Sequence, residues 1–214
     1  MYKTYQQQIV EYGMKILNSQ HVAGTSGNIS ARIGDENALA ISPSGVPYDV
    51  MKPQDVPIVD LSGRLIYGEL KPSIEWKMHT RIYQEYPSIR AVIHTHSVYT
   101  TALSLIRTPL AGITETLLLI GETIPVAEYA NAGSEKLAEN VVKALRNSKA
   151  VILANHGLVC TAESLESAFK MCEIVERNAK IFTIALSTGK PIHAIPKEEA
   201  KAAVKWLKEN YGQR

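Results

Sequence analysis

Two short apolar runs each deliver a histidine, and this pairing constrains the fold more than any other feature of the chain. Ala91-Val92-Ile93 leads into His94-Thr95-His96, and Val151-Ile152-Leu153-Ala154 leads into Asn155-His156-Gly157. A brief run of β-branched and aliphatic residues bounded by polar ones reads as a buried strand. Helical stripes occupy the intervals. The opening segment carries Ile9, Val10, Gly13, Met14 and Leu17 at helical spacing and stops before Gly24-Thr25-Ser26-Gly27-Asn28. Strands are expected at Ala38–Ile41, then at Ile58–Leu61 and Arg64–Tyr67 as a hairpin closed by Ser62-Gly63.

Pro72 and Ser73 are placed to open a helix with Ile74, Met78 and Ile82 inward. Val98–Ile106 reads as helix and Thr123–Val126 as a short strand. Ser134 caps a helix with Leu137, Val141 and Leu145 inward. A long helix over 164–187 ends at Gly189 and Pro191, and a last one covers 197–210. Helices and strands interleave, so the class is α/β, layered α/β/α, over one domain of 214 residues.

Composition narrows the function classes. The chain is 45% hydrophobic and 21% charged, which is globular, and its net charge of +2 is spread too thinly for a nucleic-acid footprint. Cys160 and Cys172 stand twelve positions apart without CxxC spacing, which fits a reducing, cytoplasmic compartment. The first residues show no apolar signal core, and no run of about 18 apolar residues would span a membrane.

On an extended chain residues i and i+2 point the same way, so His94 and His96 converge as a chelating pair for zinc and similar ions. Taken alone, the two could equally be strand-end polar residues with separate partners. His156, at the mouth of a second buried strand, makes the joint metal reading the stronger one, because catalytic zinc commonly takes three protein ligands. Glu75 follows Lys71-Pro72-Ser73-Ile74 at a helix start, where a carboxylate is favoured in any case. His79, four residues on, shares its helical face and could pair with it. His21 and His193 lie in polar, loop-like surroundings and are not expected to be ligands. The clusters Gly24-Thr25-Ser26-Gly27-Asn28 and Ser42-Pro43-Ser44-Gly45 offer hydroxyls and backbone N–H groups on tight turns, which serve equally as turns or as anion nests. With Ser73 at a helix N-terminus they make a phosphate pocket reasonable, and no P-loop pattern points to a nucleoside triphosphate.

Five segments in order resemble the class II aldolase/adducin-head family: Gly24-Thr25-Ser26-Gly27-Asn28-Ile29-Ser30, Ile41-Ser42-Pro43-Ser44-Gly45, Lys71-Pro72-Ser73-Ile74-Glu75, Ala91-Val92-Ile93-His94-Thr95-His96 and Asn155-His156-Gly157-Leu158. The likeness runs from about residue 5 to the C-terminus and is nearest to the branch acting on L-fuculose 1-phosphate. It implies an α/β/α fold with a largely antiparallel central sheet and a cyclic homotetramer with sites between subunits. It implies zinc, or another divalent ion such as manganese or cobalt, held by His94, His96 and His156, with Glu75 as fourth ligand and base. The substrate phosphate would lie on Thr25, Asn28, Ser44, Gly45 and Ser73, and Tyr211 would reach a neighbour's site from the tail. The implied activity is reversible cleavage of a ketose 1-phosphate to dihydroxyacetone phosphate and a small aldehyde.

Two departures stand out. Ile74 occupies the place of a second family serine, which removes one phosphate hydroxyl. The family's tyrosine acid is absent from Gly112-Ile113-Thr114-Glu115-Thr116, where Thr114 or Glu115 falls in its slot. A related dehydratase acting on methylthioribulose phosphate has a catalytic Glu in this region, so Glu115 is a candidate acid/base and that dehydratase is the chief rival. A pentulose-phosphate 4-epimerase would carry Asp in place of Glu75. A non-catalytic adducin-like scaffold has no need of three histidines.

Overall fold

The computed structural model of the chain describes residues 2–146 and 148–210. Ten strands lie at its centre: β1 Asn28–Arg32, β2 Ala38–Ile41, β3 Ile58–Asp60, β4 Leu65–Tyr67, β5 Ala91–Thr95, β6 Leu110–Ala111, β7 Thr123–Ile124, β8 Val126–Ala127, β9 Ala150–Leu153 and β10 Gly157–Ala162. The helices are α1 Tyr2–Asn18, α2 Trp76–Glu85, α3 Val98–Leu105, α4 Glu115–Leu118, α5 Glu135–Leu145, α6 Leu165–Ser187 and α7 Lys197–Asn210. Eight strands form one sheet in the order β4-β3-β2-β1-β5-β10-β9-β8, and β6 pairs with β7 apart from it. Every pairing in the large sheet is antiparallel except β8 with β9.

Because alternate strand residues face opposite sides, the sheet carries two cores. On one side Ile29, Ile93 and Cys160 pack against Ile9 and Ile16 of α1 and Cys172 and Val175 of α6. On the other, Leu39, Val92 and Val159 meet Met78 and Ile82 of α2 and Leu137 and Val141 of α5. The layering is α/β/α, and β1, β5 and β10 are neighbours in the interior of the large sheet.

Several local expectations change. In α1 the buried line is Gln6, Ile9, Gly13 and Ile16, while Val10, Met14 and Leu17 are only half-buried; Gln6 is accommodated because its amide donates to the Val56 carbonyl at 2.7 Å. Pro72 and Ser73 do not open a helix. Pro72 bridges to Pro43, Ser73 N–H donates to Ser42 O, and Ser44 N–H donates to Lys71 O. The segment is therefore extended, α2 begins at Trp76, and Ile74 is 63% exposed rather than inward. The single strand expected at 123–126 breaks at Pro125, which has no N–H to continue a ladder. The short elements β1, β6, α4 and β10 were not anticipated.

Candidate metal centre

His94 sits in the middle of the large sheet. It is directly opposite Asn28 on β1 and Val159 on β10, and like Val92 it points to the α2 side of the sheet, fully buried. His96 follows just past the strand, held by its N–H donating to His21 O at 3.0 Å. His156 sits on the turn between β9 and β10, where Asn155 takes a left-handed φ of 55° and the N–H of His156 donates to Leu153 O. Glycine makes this convergence possible. A Cβ on Gly157 would lie 2.1 Å from Thr95 O, and one on Gly27 would lie 2.6 Å from His94 O, so larger residues would hold the neighbouring segments off the end of β5.

The three rings form a nearly equilateral group, with centroids 4.7–4.9 Å apart and planes crossing at 66–74°. One nitrogen from each ring lies within 4.8 Å of the others. His94 Nδ1–H donates to Leu158 O at 3.0 Å, which leaves its Nε2 as a lone-pair donor. That Nε2 is 3.0 Å from His96 Nε2 and 3.2 Å from Glu75 Oε2. Glu75 Oε1 is 3.6 Å from His156 Nε2, is buried, and has no hydrogen-bond partner. Nitrogen lone pairs and an orphaned carboxylate oxygen turned on one point repel each other unless a cation sits among them. The spacing suits such an ion: tetrahedral bonds of ~2.0–2.1 Å would put donor atoms roughly 3.3 Å apart. The donor set fits a divalent metal.

Protonation agrees. Burial, reinforced by the neighbouring His94, pushes His96 and His156 down to about 4, so both rings are neutral at pH 7 and able to ligate. Burial alone would raise the Glu75 carboxyl, but His94, His156 and the hydrogen bond from Asn28 outweigh it and hold Glu75 well below the usual range, hence ionised.

The remaining candidates are placed as follows. The bridged segments bring Ser44 and Gly45 beside Ser73. Ser44 and Gly45 are exposed, with Gly45 at φ +72°, and Ser73 is buried with its Oγ accepting from Glu75 N–H at 3.3 Å. Thr25 is exposed on the turn before β1. Asn28 is buried with its side-chain amide between Glu75 and His79. Thr114 is committed to structure, since it caps α4 by accepting from Leu117 N–H and donates to Asn178 Oδ1. Glu115 is the exposed first residue of α4. Tyr211 lies outside the described residues. His193 is exposed, and His21, against expectation, is buried with its ring against Phe169 and Nδ1 3.2 Å from Ser97 Oγ. Neither joins the cluster. His79 does not pair with Glu75 directly; Asn28 stands between them. The i, i+4 spacing of Glu75 and His79 signalled a shared face, but the bridging strand residue was not readable from it.

The chain matches the family described as the class II aldolase and adducin N-terminal domain over residues 7–183. It is 36% identical over 208 residues to a 5-deoxy-D-ribulose 1-phosphate aldolase of Bacillus thuringiensis serovar kurstaki, covering 97% of both chains. To the L-fuculose phosphate aldolase of Escherichia coli K12 it is 34% identical, covering 89% of this chain and 87% of the relative. Among solved structures, an L-fuculose 1-phosphate aldolase superposes with a TM-score of 0.91 at 36% identity, covering 96% of each chain.

Proposed function

The chain belongs to the class II aldolase and adducin N-terminal domain family, and on that premise we propose that it is a metal-dependent aldolase cleaving a ketose 1-phosphate reversibly to dihydroxyacetone phosphate and a small aldehyde. The observation that carries this reading is the gathering of three imidazoles beside the Glu75 carboxylate, whose Oε1 is buried and unpartnered. Relatives covering most of both chains and named as aldolases of 5-deoxyribulose 1-phosphate and L-fuculose phosphate support the substrate class. The whole chain acts as one domain.

His94, His96, His156 and Glu75 hold the ion, which we assign as zinc, with manganese or cobalt as substitutes. Thr25, Asn28, Ser44, Gly45 and Ser73 form the phosphate pocket. The cross-linking of 42–44 to 71–73 and the open left-handed turn at Gly45 support that assignment. When the C3–C4 bond breaks, negative charge develops on the dihydroxyacetone phosphate fragment as an enediolate. The bound ion supplies Lewis acidity toward that charge. In condensation Glu75, ionised and with one free oxygen, would take the proton from the dihydroxyacetone phosphate carbon and become a carboxylic acid, and in cleavage that protonated form would return the proton to the enediolate carbon. Glu115, and Tyr211 from a neighbouring subunit, handle the proton on the aldehyde oxygen. The subunits form a cyclic homotetramer with sites between them. Val98, Leu105 and Ile106, which start and end α3 just past His96, are 58–67% exposed and support an interface there. No described helix is long and apolar enough to cross a membrane, and two buried free thiols support a cytoplasmic setting.

The test is to incubate zinc-loaded protein with L-fuculose 1-phosphate, 5-deoxyribulose 1-phosphate and 5-methylthioribulose 1-phosphate, following dihydroxyacetone phosphate by coupled reduction. Metal-dependent release of that product from at least one ketose is expected. Loss of a ketose with loss of water and no such product would establish the dehydratase. A purified protein that takes up no stoichiometric metal and turns over nothing would establish a scaffold.

A further inference from the structure

Four buried side chains outside the ligand set form one continuous hydrogen-bonded line that ends on Glu75. Glu75, His79 and Tyr83 stand at i, i+4 and i+8 on one stripe of α2, and Asn28 and Ser30 stand at i and i+2 on the facing side of β1. The two rows interleave. Asn28 Nδ2 lies 2.8 Å from Glu75 Oε2, and Asn28 Oδ1 lies 2.5 Å from His79 Nε2. His79 Nδ1 lies 2.6 Å from Ser30 Oγ, and Ser30 Oγ lies 2.8 Å from Tyr83 OH. His79, Ser30 and Tyr83 are fully buried, and Asn28 is 4% exposed.

The chemistry of the groups fixes the protons of this line from Asn28 to Ser30. A carboxylate only accepts, so Asn28 must turn its NH₂ to Glu75 and its carbonyl to His79. That carbonyl requires a proton on His79 Nε2. The neutral ring then accepts at Nδ1, where Ser30 donates, and the single Tyr83 hydroxyl proton faces both Ser30 Oγ at 2.8 Å and Ser30 O at 3.1 Å. From Ser30 to Asn28 all donors point one way, toward the carboxylate. Glu75 Oε2 is thereby pinned beside His94 Nε2, and Oε1, 3.6 Å from His156 Nε2, is the oxygen left without a hydrogen bond. His79, Ser30 and Tyr83 are not part of the ligand group, so ligation does not explain why a histidine stands at 79.

We propose that His79 is a positioning residue: through Asn28 it locks the rotation of the Glu75 carboxylate, presenting Oε1 to the metal and to the substrate proton. The activity arm of the test rests on the aldolase reading, and the metal-affinity arm does not. His79→Phe fills the space but donates nothing, so the Asn28 amide loses its orientation. His79→Gln places an N–H near the position of Nε2 and restores the donor. His79→Phe is expected to lower kcat roughly 10- to 100-fold and weaken zinc affinity, measured by chelator competition, about 10-fold or more, as loss of an outer partner of a metal ligand typically does. KM should change less than kcat, because Asn28 is the one member of the phosphate pocket that His79 orients, and Thr25, Ser44, Gly45 and Ser73 are untouched. His79→Gln should recover most of both losses. Equal losses in the two variants, or a folded His79→Phe with wild-type kcat and zinc affinity, would overturn the proposal.

If His79→Phe fails to fold, Ser30→Ala takes its place. Removing that donor frees the ring to move its proton to Nδ1, so a smaller loss of zinc affinity and kcat is expected, and unchanged values would be equally fatal. If the wild-type protein cleaves no ketose, the aldolase reading falls while zinc competition still decides the role of His79.

Discussion

The sharpest quantitative consequence of the buried line concerns acid stability of the metal-free protein. His79 is fully buried, and its ring is pushed down to about 3, first by burial and then by the nearby His94, against a partial counter-effect of Glu75. The unfolded chain therefore binds a proton near 6.5 that the folded chain refuses until about 3. Stability rises with pH wherever the unfolded state holds more protons, so this contribution is complete above about 6.5 and is lost as pH falls toward 3. At pH 5 the unfolded imidazole sits roughly 1.5 units below its own midpoint, and at about 1.4 kcal/mol per unit the loss from His79 alone is about 2 kcal/mol. For a chain of this size that corresponds to roughly 4–8 °C in Tm. The assay is reversible urea unfolding at pH 5 and pH 8 on chelator-treated protein at fixed protomer concentration, comparing wild type with His79→Gln, which cannot titrate. The difference between the two pH values should shrink by about 2 kcal/mol in the variant. The same difference in both proteins would mean that His79 is not held neutral, and the direction of every hydrogen bond in the line would have to be redrawn.

Three further outcomes follow from the geometry. Gly157→Ala drives a methyl to 2.1 Å from the Thr95 carbonyl oxygen; because backbone cannot retreat cheaply, destabilisation of about 2–3 kcal/mol and weakened zinc binding are expected from denaturant titration and chelator competition. Glu75→Gln keeps the shape of a buried side chain but removes the base, so kcat should fall roughly 10²–10⁴-fold while circular dichroism stays unchanged; a loss under tenfold would assign the base elsewhere. Removing metal with a chelator should abolish cleavage and lower Tm, and adding zinc back should restore both; at a free concentration near 100 times Kd the bound ion contributes about 3 kcal/mol.

Much of this protein was decided by local pattern. The apolar runs before His94 and before His156, the stripes of α5 and α6, and the serine caps at 134 and 164 each express a preference satisfied within a few residues, so the α/β/α class and the three histidines were legible. The segments read wrongly were those whose partners lie far along the chain. Asn28–Arg32, not expected as a strand, alternates apolar Ile29 and Ala31 with polar Asn28 and Ser30, and what that polar row faces is decided by its distant partners Glu75, His79 and Tyr83. Pro72-Ser73 has the composition of a helix start, but pairing with residues 42–44 holds it extended and turns Ile74 outward. Residue types and spacing could nominate ligands, since coordination chemistry depends on which donors are present. Which oxygen of Glu75 is pinned and which is free was settled only by tertiary structure, because a carboxylate's rotation is set by a strand residue 47 positions away.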